Sequence, residues 1–181
     1  LQLKWFHQFQ FAGYYIAQQK GFYAQAGLDV TLLEGGPGKN IYEAILENQI
    51  NYSIASGGDA LRLYLEGLPI QSLGVIYQHS PYALLTLKKN QLLSPADLIQ
   101  FPIMLSSEQG EVEILSMFAN EGIDISELNI IPHSWSYDDL LRGKVSAMSA
   151  YSTTAPYTLM QSDSQTRLLK PMEYGIDFYG D

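Results

Sequence analysis

The chain has 181 residues, of which 46% are hydrophobic and 16% charged, a balance typical of globular rather than disordered proteins. The formal net charge is −9 and the basic residues are scattered singly, which argues against nucleic acid and anionic membranes as partners. The sequence contains no cysteine, which excludes disulfides, thiolate-bound metals and cysteine nucleophiles, and no apolar run is long enough to span a bilayer.

The first half of the chain alternates predicted strands with predicted helices. Leu1, Leu3 and Trp5 alternate with polar residues, a pattern that predicts a strand with one buried face. A helix is expected over 12–25, with Gly27 as its left-handed cap. The other expected elements are strands over 28–33, 51–55 and 69–76, a helix over 41–47, and a helix from the turn at 56–59 to residue 65. This succession predicts a parallel α/β sheet.

The second half repeats the alternation. Ser94 and Pro95 form a helix start in which Ser94 is the N-cap and Pro95 the first helical residue. The expected strands cover 82–87, 101–105, 128–132, 145–150 and 167–170, and the expected helices cover 110–120, 137–141 and 153–161.

An internal similarity relates the two halves. Gly27-Leu28-Asp29 recurs 95 residues later as Gly122-Ile123-Asp124, and the same spacing aligns Ala55 with Ala150. One duplication predicts two α/β lobes whose strand ends face each other across a cleft, whereas chance similarity between two ordinary α/β units is the alternative. The expected bounds are 1–80 for the first lobe, 81–165 for the second, and 166–181 for the start of a segment that returns to the first lobe in a longer chain.

Candidate ligand contacts lie where the predicted strands of the first half end. Ligands of open α/β sheets bind beyond the carboxyl ends of the strands. Trp5 and His7 follow the first strand, and Tyr14 lies at the start of the next helix. Gly36 lies in a glycine-rich loop, where the backbone can approach a ligand closely. The alternatives are a core role for Trp5 and a flexible turn at Gly36.

Polar residues at two later turns supply further candidates. Ser56 and Asp59 lie between a strand and a helix, where they either offer hydrogen bonds to a ligand or cap the helix. Glu108 precedes the next helix and is a candidate carboxylate for an amino group of a ligand. Glu111 and Glu113 lie in the first turn of that helix, where acids favour the helix dipole, and we expect them to be solvated.

The three histidines do not have the spacing of a helical zinc site. His7, His79 and His133 each lie near a predicted strand end, so we expect them to contact a ligand or to have hydrogen-bond partners in the hinge. Trp135, in the loop after the strand over 128–132, offers a second ring for stacking.

Several motifs, spread over nearly the whole chain, resemble the NMT1/THI5-like family. They include Leu3-Lys4-Trp5-Phe6-His7-Gln8, Ala12-Gly13-Tyr14-Tyr15, Lys20-Gly21-Phe22-Tyr23, Gln78-His79-Ser80-Pro81, Pro132-His133-Ser134 and Tyr174-Gly175-Ile176-Asp177. The family contains periplasmic binding proteins for thiamine pyrimidine precursors, related sulfonate-type binding proteins and sensor domains, and fungal thiamine-pyrimidine synthases. The resemblance implies the type II periplasmic-binding-protein fold, with two α/β lobes and an interlobe cleft.

The resemblance also implies roles for individual residues. Trp5 and Tyr151 would stack on a flat ligand, and hydrogen bonds would come from His7, Ser56, His79 and Glu108. The chain departs from the family pattern at one position. Many members of the family it resembles carry an acidic residue just before the proline that corresponds to Pro156, whereas this chain has Ala155 there.

The function expected from the resemblance is extracytoplasmic solute binding. The ligand would be a small flat heterocycle, a thiamine pyrimidine precursor, and the partner an ABC transporter permease or a fused membrane signalling module. This function requires no cofactor, metal ion or nucleic acid. The alternative is an enzyme similar to the thiamine pyrimidine synthases, but their cysteine-rich iron-binding motif has no counterpart in a chain without cysteine.

Overall fold

The computed structural model describes residues 1–37, 39, 45–47, 50–106, 111–160 and 165–180. The chain forms two compact units, Leu1–Ala55 and Ser56–Asp181. Most of the helix predicted over 41–47 lies outside the described residues, as does the candidate ligand contact Glu108.

The second unit is built on a five-stranded sheet with the order β3-β2-β4-β1-β5. The strands are β1 (Tyr82–Leu87), β2 (Pro102–Leu105), β3 (Asn129–Pro132), β4 (Ala147–Tyr151) and β5 (Thr166–Leu169). β2 is parallel to β3 and β4, whereas β1 is antiparallel to β4 and β5. The predicted parallel sheet is therefore wrong for β1, which alone runs against the other four. An apolar run such as that of β1 shows that a strand is buried but not its direction.

Both faces of the central strands β1, β2 and β4 are mostly buried, which explains their continuous apolar sequences, whereas β3 and β5 at the edges are only partly buried. Alternate residues enter opposite cores: Leu84 and Ile103 lie in one, and Leu85 and Met104 in the other. The helix Val112–Asn120 supplies side chains to the first core, including Phe118. The helices Asp138–Leu141 and Ala155–Met160 supply side chains to the second core.

The described part of the unit also contains the helix Gly57–Leu65 and four short 3-10 helices. These 3-10 helices are Lys88–Asn90, Pro95–Leu98, Ile125–Glu127 and Pro171–Tyr174. The predicted helix start at Ser94 is confirmed, because Ser94 and Asp97 form a capping box. The strand predicted over 69–76 is wrong: no strand forms there, and Leu73 and Ile76 are mostly exposed.

The first unit brings three extended segments together around Gln2. Gln2 forms parallel bridges with Leu33 and Ser53, so the predicted strands pair as expected but only at single bridges among the described residues. The Gln2 side chain is buried and donates hydrogen bonds to the Leu3 and Leu33 carbonyls. A small core of Leu3, Phe11 and Ile54 packs beside them.

The helix predicted over 12–25 is interrupted. After the 3-10 helix Phe9–Phe11, the chain forms helices Ala12–Gln19 and Phe22–Gln25. Gly21 separates them with φ of 71°, a left-handed conformation that glycine adopts at little cost and that the regular helix cannot contain. Gly27, with φ of 75°, is the left-handed cap that the sequence predicts.

Candidate ligand-binding site

The carboxyl ends of β2, β3 and β4 meet at one edge of the sheet, because these strands are parallel. Ser106 follows β2, His133 follows β3, and Ser149 and Tyr151 lie in the last part of β4. Polar and aromatic side chains therefore converge where α/β sheets bind their ligands.

Glu111 is the most buried acid at this edge, with only 2% of its surface exposed. Its Oε1 accepts hydrogen bonds from the backbone N of Ser106 at 2.6 Å and from the hydroxyls of Ser106 and Ser149, both at 2.5 Å. The expectation that Glu111 and Glu113 are solvated is therefore wrong. Glu113 is buried in the helix, and Ser106 after β2 and Ser149 within β4 hold the Glu111 carboxyl inside the fold. Oε2 has no hydrogen-bond partner among the described residues.

This environment raises the pKa of Glu111 above its ordinary value. Burial is the largest cause because it disfavours the charged form, and the hydrogen bonds from Ser106 and Ser149 oppose it only in part. The negative charge of Glu113 raises the pKa further. A buried polar atom left without a partner costs about 1–3 kcal/mol. Since Oε2 has no partner among the described residues, it is costly unless another donor satisfies it.

His133 follows β3 and uses both of its ring nitrogens, one towards its own loop and one towards β4. Nδ1 accepts a hydrogen bond from the backbone N of Trp135 at 2.9 Å, and Nε2 lies 3.0 Å from the carbonyl oxygen of Ser149. These partners assign the proton to Nε2, which donates to Ser149, and leave Nδ1 as an acceptor in a neutral ring. Burial lowers the pKa of His133, although the hydrogen bond to Ser149 acts in the opposite direction.

Trp135 is held in an unusual conformation beside this histidine. Its φ of 60° lies in the left-handed region, which costs a non-glycine residue of order 1–3 kcal/mol. The indole stacks on the His133 ring with centroids 4.3 Å apart, and 46% of the residue is exposed. The neighbouring Ser134 hydroxyl donates to Asp139 at 2.7 Å, and Asp139 in turn pairs with Lys144. The loop is thus fixed with part of an aromatic ring exposed.

Tyr151 extends the same edge along β4. It lies two residues after Ser149, so the two side chains share a face of the strand. Tyr151 is directly opposite Tyr82 in the register of β1 and β4, and the rings meet edge to face at 4.8 Å. Of the residues proposed from sequence, His133, Trp135 and Tyr151 lie at this edge, which we call the second-unit edge (Ser106, Glu111, His133, Trp135, Ser149 and Tyr151).

Ser56 and Asp59 form the N-terminus of the helix Gly57–Leu65. The Ser56 hydroxyl accepts from the backbone N of Asp59 at 3.2 Å and donates to Asp59 Oδ2 at 2.6 Å. Both residues are buried. The geometry is that of a capped helix start, one of the two alternatives left open by the sequence.

His79 pairs with Asp177 at 2.9 Å, and both side chains are largely exposed. Backbone hydrogen bonds hold their segments together, from Ser80 to the carbonyl of Phe178 and from Gly180 to the carbonyl of Tyr77. Within the residues that the structure describes, no hydrogen bond joins His79 to the second-unit edge.

The candidates of the first unit lie near the end of its first extended segment. The His7 ring contacts the Tyr15 hydroxyl through Nδ1, and its backbone N donates to Glu34 Oε1 at 2.9 Å. Trp5 and Tyr14 are partly buried against the small core. Gly36 has φ of 136°, a conformation that other residues rarely adopt, and a Cβ there would lie 2.9 Å from the Phe6 ring, so glycine is favoured at this position.

Sequence reasoning missed Ser106, Ser149 and Glu111. The only available signal for Glu111 was its place near a strand end, and its helical position favoured the solvated interpretation. Among the described residues, no group of three histidines or acids could hold a metal ion, and no helix is long and apolar enough to cross a membrane.

Solved structures of periplasmic binding proteins share this architecture. The periplasmic aliphatic sulphonate binding protein SsuA from Escherichia coli aligns with a TM-score of 0.73 and 15% identity, over 99% of this chain and 63% of that chain. SsuA from Xanthomonas axonopodis pv. citri, bound to MOPS, aligns with a TM-score of 0.69 and 17% identity, over 99% and 64%. The fold is that of the type II periplasmic binding proteins.

The family can be stated more closely. The profile described as NMT1/THI5 like matches residues 8–181, and the chain belongs to this family. The predicted family and fold class are both confirmed.

Three curated relatives are each 23% identical to the chain. The first is a Haemophilus influenzae protein named for thiamine biosynthesis, aligned over 184 residues that cover 100% of this chain and 59% of the relative. The second is a 4-amino-5-hydroxymethyl-2-methylpyrimidine phosphate synthase from Legionella pneumophila, aligned over 124 residues that cover 68% of this chain and 39% of the relative. The third is the riboflavin-binding protein RibY from Chloroflexus aurantiacus, aligned over 174 residues that cover 93% of this chain and 50% of the relative. The chain therefore spans between about two fifths and three fifths of the length of these relatives.

Proposed function

We propose that the chain is an extracytoplasmic solute-binding domain that binds a small flat heterocycle, a thiamine pyrimidine precursor. It would deliver the solute to an ABC transporter permease or report binding to a fused membrane signalling module. Binding requires no bond to be made or broken, because a ligand that prefers one conformation of the protein shifts the population towards it.

One observation carries this proposal: the hydrogen-bonded series Glu111, Ser149, His133 and Trp135 at the second-unit edge. It combines a partly exposed aromatic ring with buried polar groups, which is the composition of small-molecule sites. A flat solute can stack on Trp135 or Tyr151 while its polar atoms reach hydrogen-bonding groups of the edge. In the first unit, Trp5 and His7 are proposed to supply a second stacking ring and a hydrogen bond. Tyr14, Gly36, Ser56, Asp59, His79 and Glu108 complete the proposed set.

The relatives support both the class of function and the kind of ligand. The two SsuA structures named above are binding proteins for sulfonates, and the three curated relatives carry names that refer to thiamine biosynthesis, a pyrimidine phosphate and riboflavin. Two of these names specify nitrogen heterocycles, and thiamine itself contains an aminopyrimidine ring.

A thermal-shift screen tests the proposal. The purified chain is heated with 4-amino-5-hydroxymethyl-2-methylpyrimidine, thiamine, riboflavin, alkanesulfonates and amino acids. A ligand present at 100 times its Kd stabilises the folded state by about 2.7 kcal/mol, which gives a readily measured rise in Tm. We expect the largest rise with the aminopyrimidine. No rise with any heterocycle would contradict the proposed ligand class, and mass spectrometry of ligand retained through purification would identify the solute directly.

A second candidate function is catalysis of thiamine pyrimidine formation, and the Legionella relative is the observation that favours it. Such an enzyme would carry pyridoxal phosphate or iron after purification. Absorbance near 400 nm and elemental analysis distinguish it from the binding protein, which we expect to bind the pyrimidine without converting it.

A further inference from the structure

The two oxygens of the Glu111 carboxyl have very different surroundings. Oε1 accepts three hydrogen bonds from Ser106 and Ser149, while Oε2 has none among the described residues. The serines hold the carboxyl in one orientation, so the position of Oε2 is fixed in advance. A buried acceptor that is oriented but unsatisfied is a suitable contact for a donor on a ligand.

The charges around Glu111 indicate which ligands can approach. The charged neighbour that affects its carboxyl is Glu113, another acid. The described ion pairs occupy Arg142 with Asp138 and Lys144 with Asp139, and none of them includes Glu111. A sulfonate or phosphate placed against Oε2 would meet a buried acid with no described cation to neutralise it, which is unfavourable.

The polar contacts of Glu111 also lead directly to the aromatic part of the edge. Ser149 donates to Glu111 through its hydroxyl and accepts from His133 through its carbonyl, and the His133 ring stacks on Trp135. The acceptor and the exposed indole therefore belong to one connected arrangement, as a flat ring bearing an N–H group would require.

We propose that Glu111 is the specificity-determining residue of this edge, and that its Oε2 accepts a hydrogen bond from an amino or ring N–H group of the solute. The inference rests on the proposed solute-binding function and narrows its ligand class. It selects heterocycles that present an N–H donor and rejects sulfonates, in contrast to the ligands named for the solved SsuA structures.

A ligand series on the unaltered chain is the first test. Calorimetric titration compares 4-amino-5-hydroxymethyl-2-methylpyrimidine with the same pyrimidine lacking the amino group, and with MOPS. We expect the amino compound to bind about 10- to 100-fold more tightly than the compound without it, because a buried acceptor is left unsatisfied in the second complex. We expect no binding of MOPS. Equal affinities for the two pyrimidines, or tight binding of MOPS, would overturn the role of Glu111.

The variant Glu111→Gln is the second test. Its amide oxygen can still accept from the serines, but an NH2 group replaces Oε2 and places a donor against the donor of the ligand. We expect the preference for the amino compound to disappear. Glu113→Gln is the control, because it also replaces a buried acid by an amide two residues further along the chain but leaves Oε2 of Glu111 in place, so it should keep the preference.

The outcomes separate the two proposals. If the unaltered chain binds none of the heterocycles, the proposed function fails. If it binds them and Glu111→Gln keeps the full preference for the amino compound, the function stands and the role of Glu111 is overturned. Circular dichroism shows whether the variant is folded, and if it is not, the ligand series on the unaltered chain decides.

Discussion

The two units repeat one supersecondary plan but stabilise it differently. In each unit a helix ends in a glycine with φ of 75°, Gly27 or Gly122. The residue after the glycine then donates to a carbonyl five residues back, from Leu28 to Tyr23 and from Ile123 to Phe118. These hydrogen bonds are themselves 95 residues apart, so the internal similarity of the sequence is also a similarity of backbone structure.

The sheets of the two units share an arrangement as well. A central segment lies between two parallel neighbours in both: Gln2 between Leu33 and Ser53, and β2 between β3 and β4. The second unit extends its pairings into full strands with apolar cores on both faces. The first unit has single bridges and one small core among the described residues. Among its described residues, the first unit therefore keeps the plan with less apolar packing, and backbone hydrogen bonds and the buried Gln2 side chain join its extended segments.

Truncation of a core phenylalanine in each unit should show the largest difference. Phe118 and Phe11 are both almost fully buried. We expect Phe118→Ala to lower the free energy of unfolding by about 3–5 kcal/mol, because a helix and the sheet enclose the cavity that it leaves. The smaller core around Phe11 can relax, so Phe11→Ala should cost less. Urea unfolding followed by circular dichroism measures both values, and an equal or greater cost at Phe11 would contradict the comparison.

Removal of an indole ring should separate binding from folding. Trp5 is partly buried beside the small core, and we expect Trp5→Ala to leave the chain folded while it weakens binding of the aminopyrimidine by about 1–3 kcal/mol through loss of stacking. Trp135→Ala removes the corresponding ring from the second unit and serves as the comparison. Titration calorimetry measures the affinities. Unchanged affinity in Trp5→Ala would remove the first unit from the proposed site.

The paired glycine caps should behave alike. A Cβ added at Gly27 or at Gly122 would meet nothing within 4 Å, so the cost of an alanine is conformational only. We expect Gly27→Ala and Gly122→Ala each to cost about 1–2 kcal/mol in the left-handed conformation. The midpoint of urea unfolding reports the change. A clear inequality between the two variants would show that the caps are not energetically equivalent, despite their matching hydrogen bonds.

The smallest expected effect is a dependence on pH at Glu111. Its pKa is raised in the folded chain from the ordinary value of 4.5, so the folded state holds the proton more tightly than the unfolded state. This contribution to stability is fully present below about pH 4.5 and is lost as the pH rises through the raised pKa. Glu111→Gln cannot titrate, so its stability relative to the unaltered chain should improve between pH 4 and pH 8. A difference that is constant with pH would contradict the raised pKa.

Much of the fold was predictable because local signals agreed with it. Ser94 and Asp97 form the capping box that their spacing indicates, and the glycine at 122 caps its helix as its counterpart does. The direction of β1 was not predictable, because the apolar sequence of a strand buried on both faces does not show whether it pairs parallel or antiparallel with its neighbours. The prediction of a strand over 69–76 was wrong for a related reason, since an apolar run does not show whether a partner strand exists.

The candidate site was less predictable than the fold. Trp135 could be found because an aromatic residue at a strand end is unusual, but the burial of Glu111 depends on Ser149, which lies 38 residues away in sequence. The same glutamate on an exposed helix start would be solvated. Contacts between distant segments reverse the local expectation, and no pattern within the helix records them.

The placement of the two tryptophans has a practical consequence. The chain contains no others, and Trp5 lies in one unit while Trp135 lies in the other. Each unit therefore carries its own fluorophore. A Trp5→Phe variant emits from the second unit and a Trp135→Phe variant from the first, so that denaturation can be followed separately in each half of the molecule. Coincident transitions would identify one cooperative folding unit, and separate transitions would identify two.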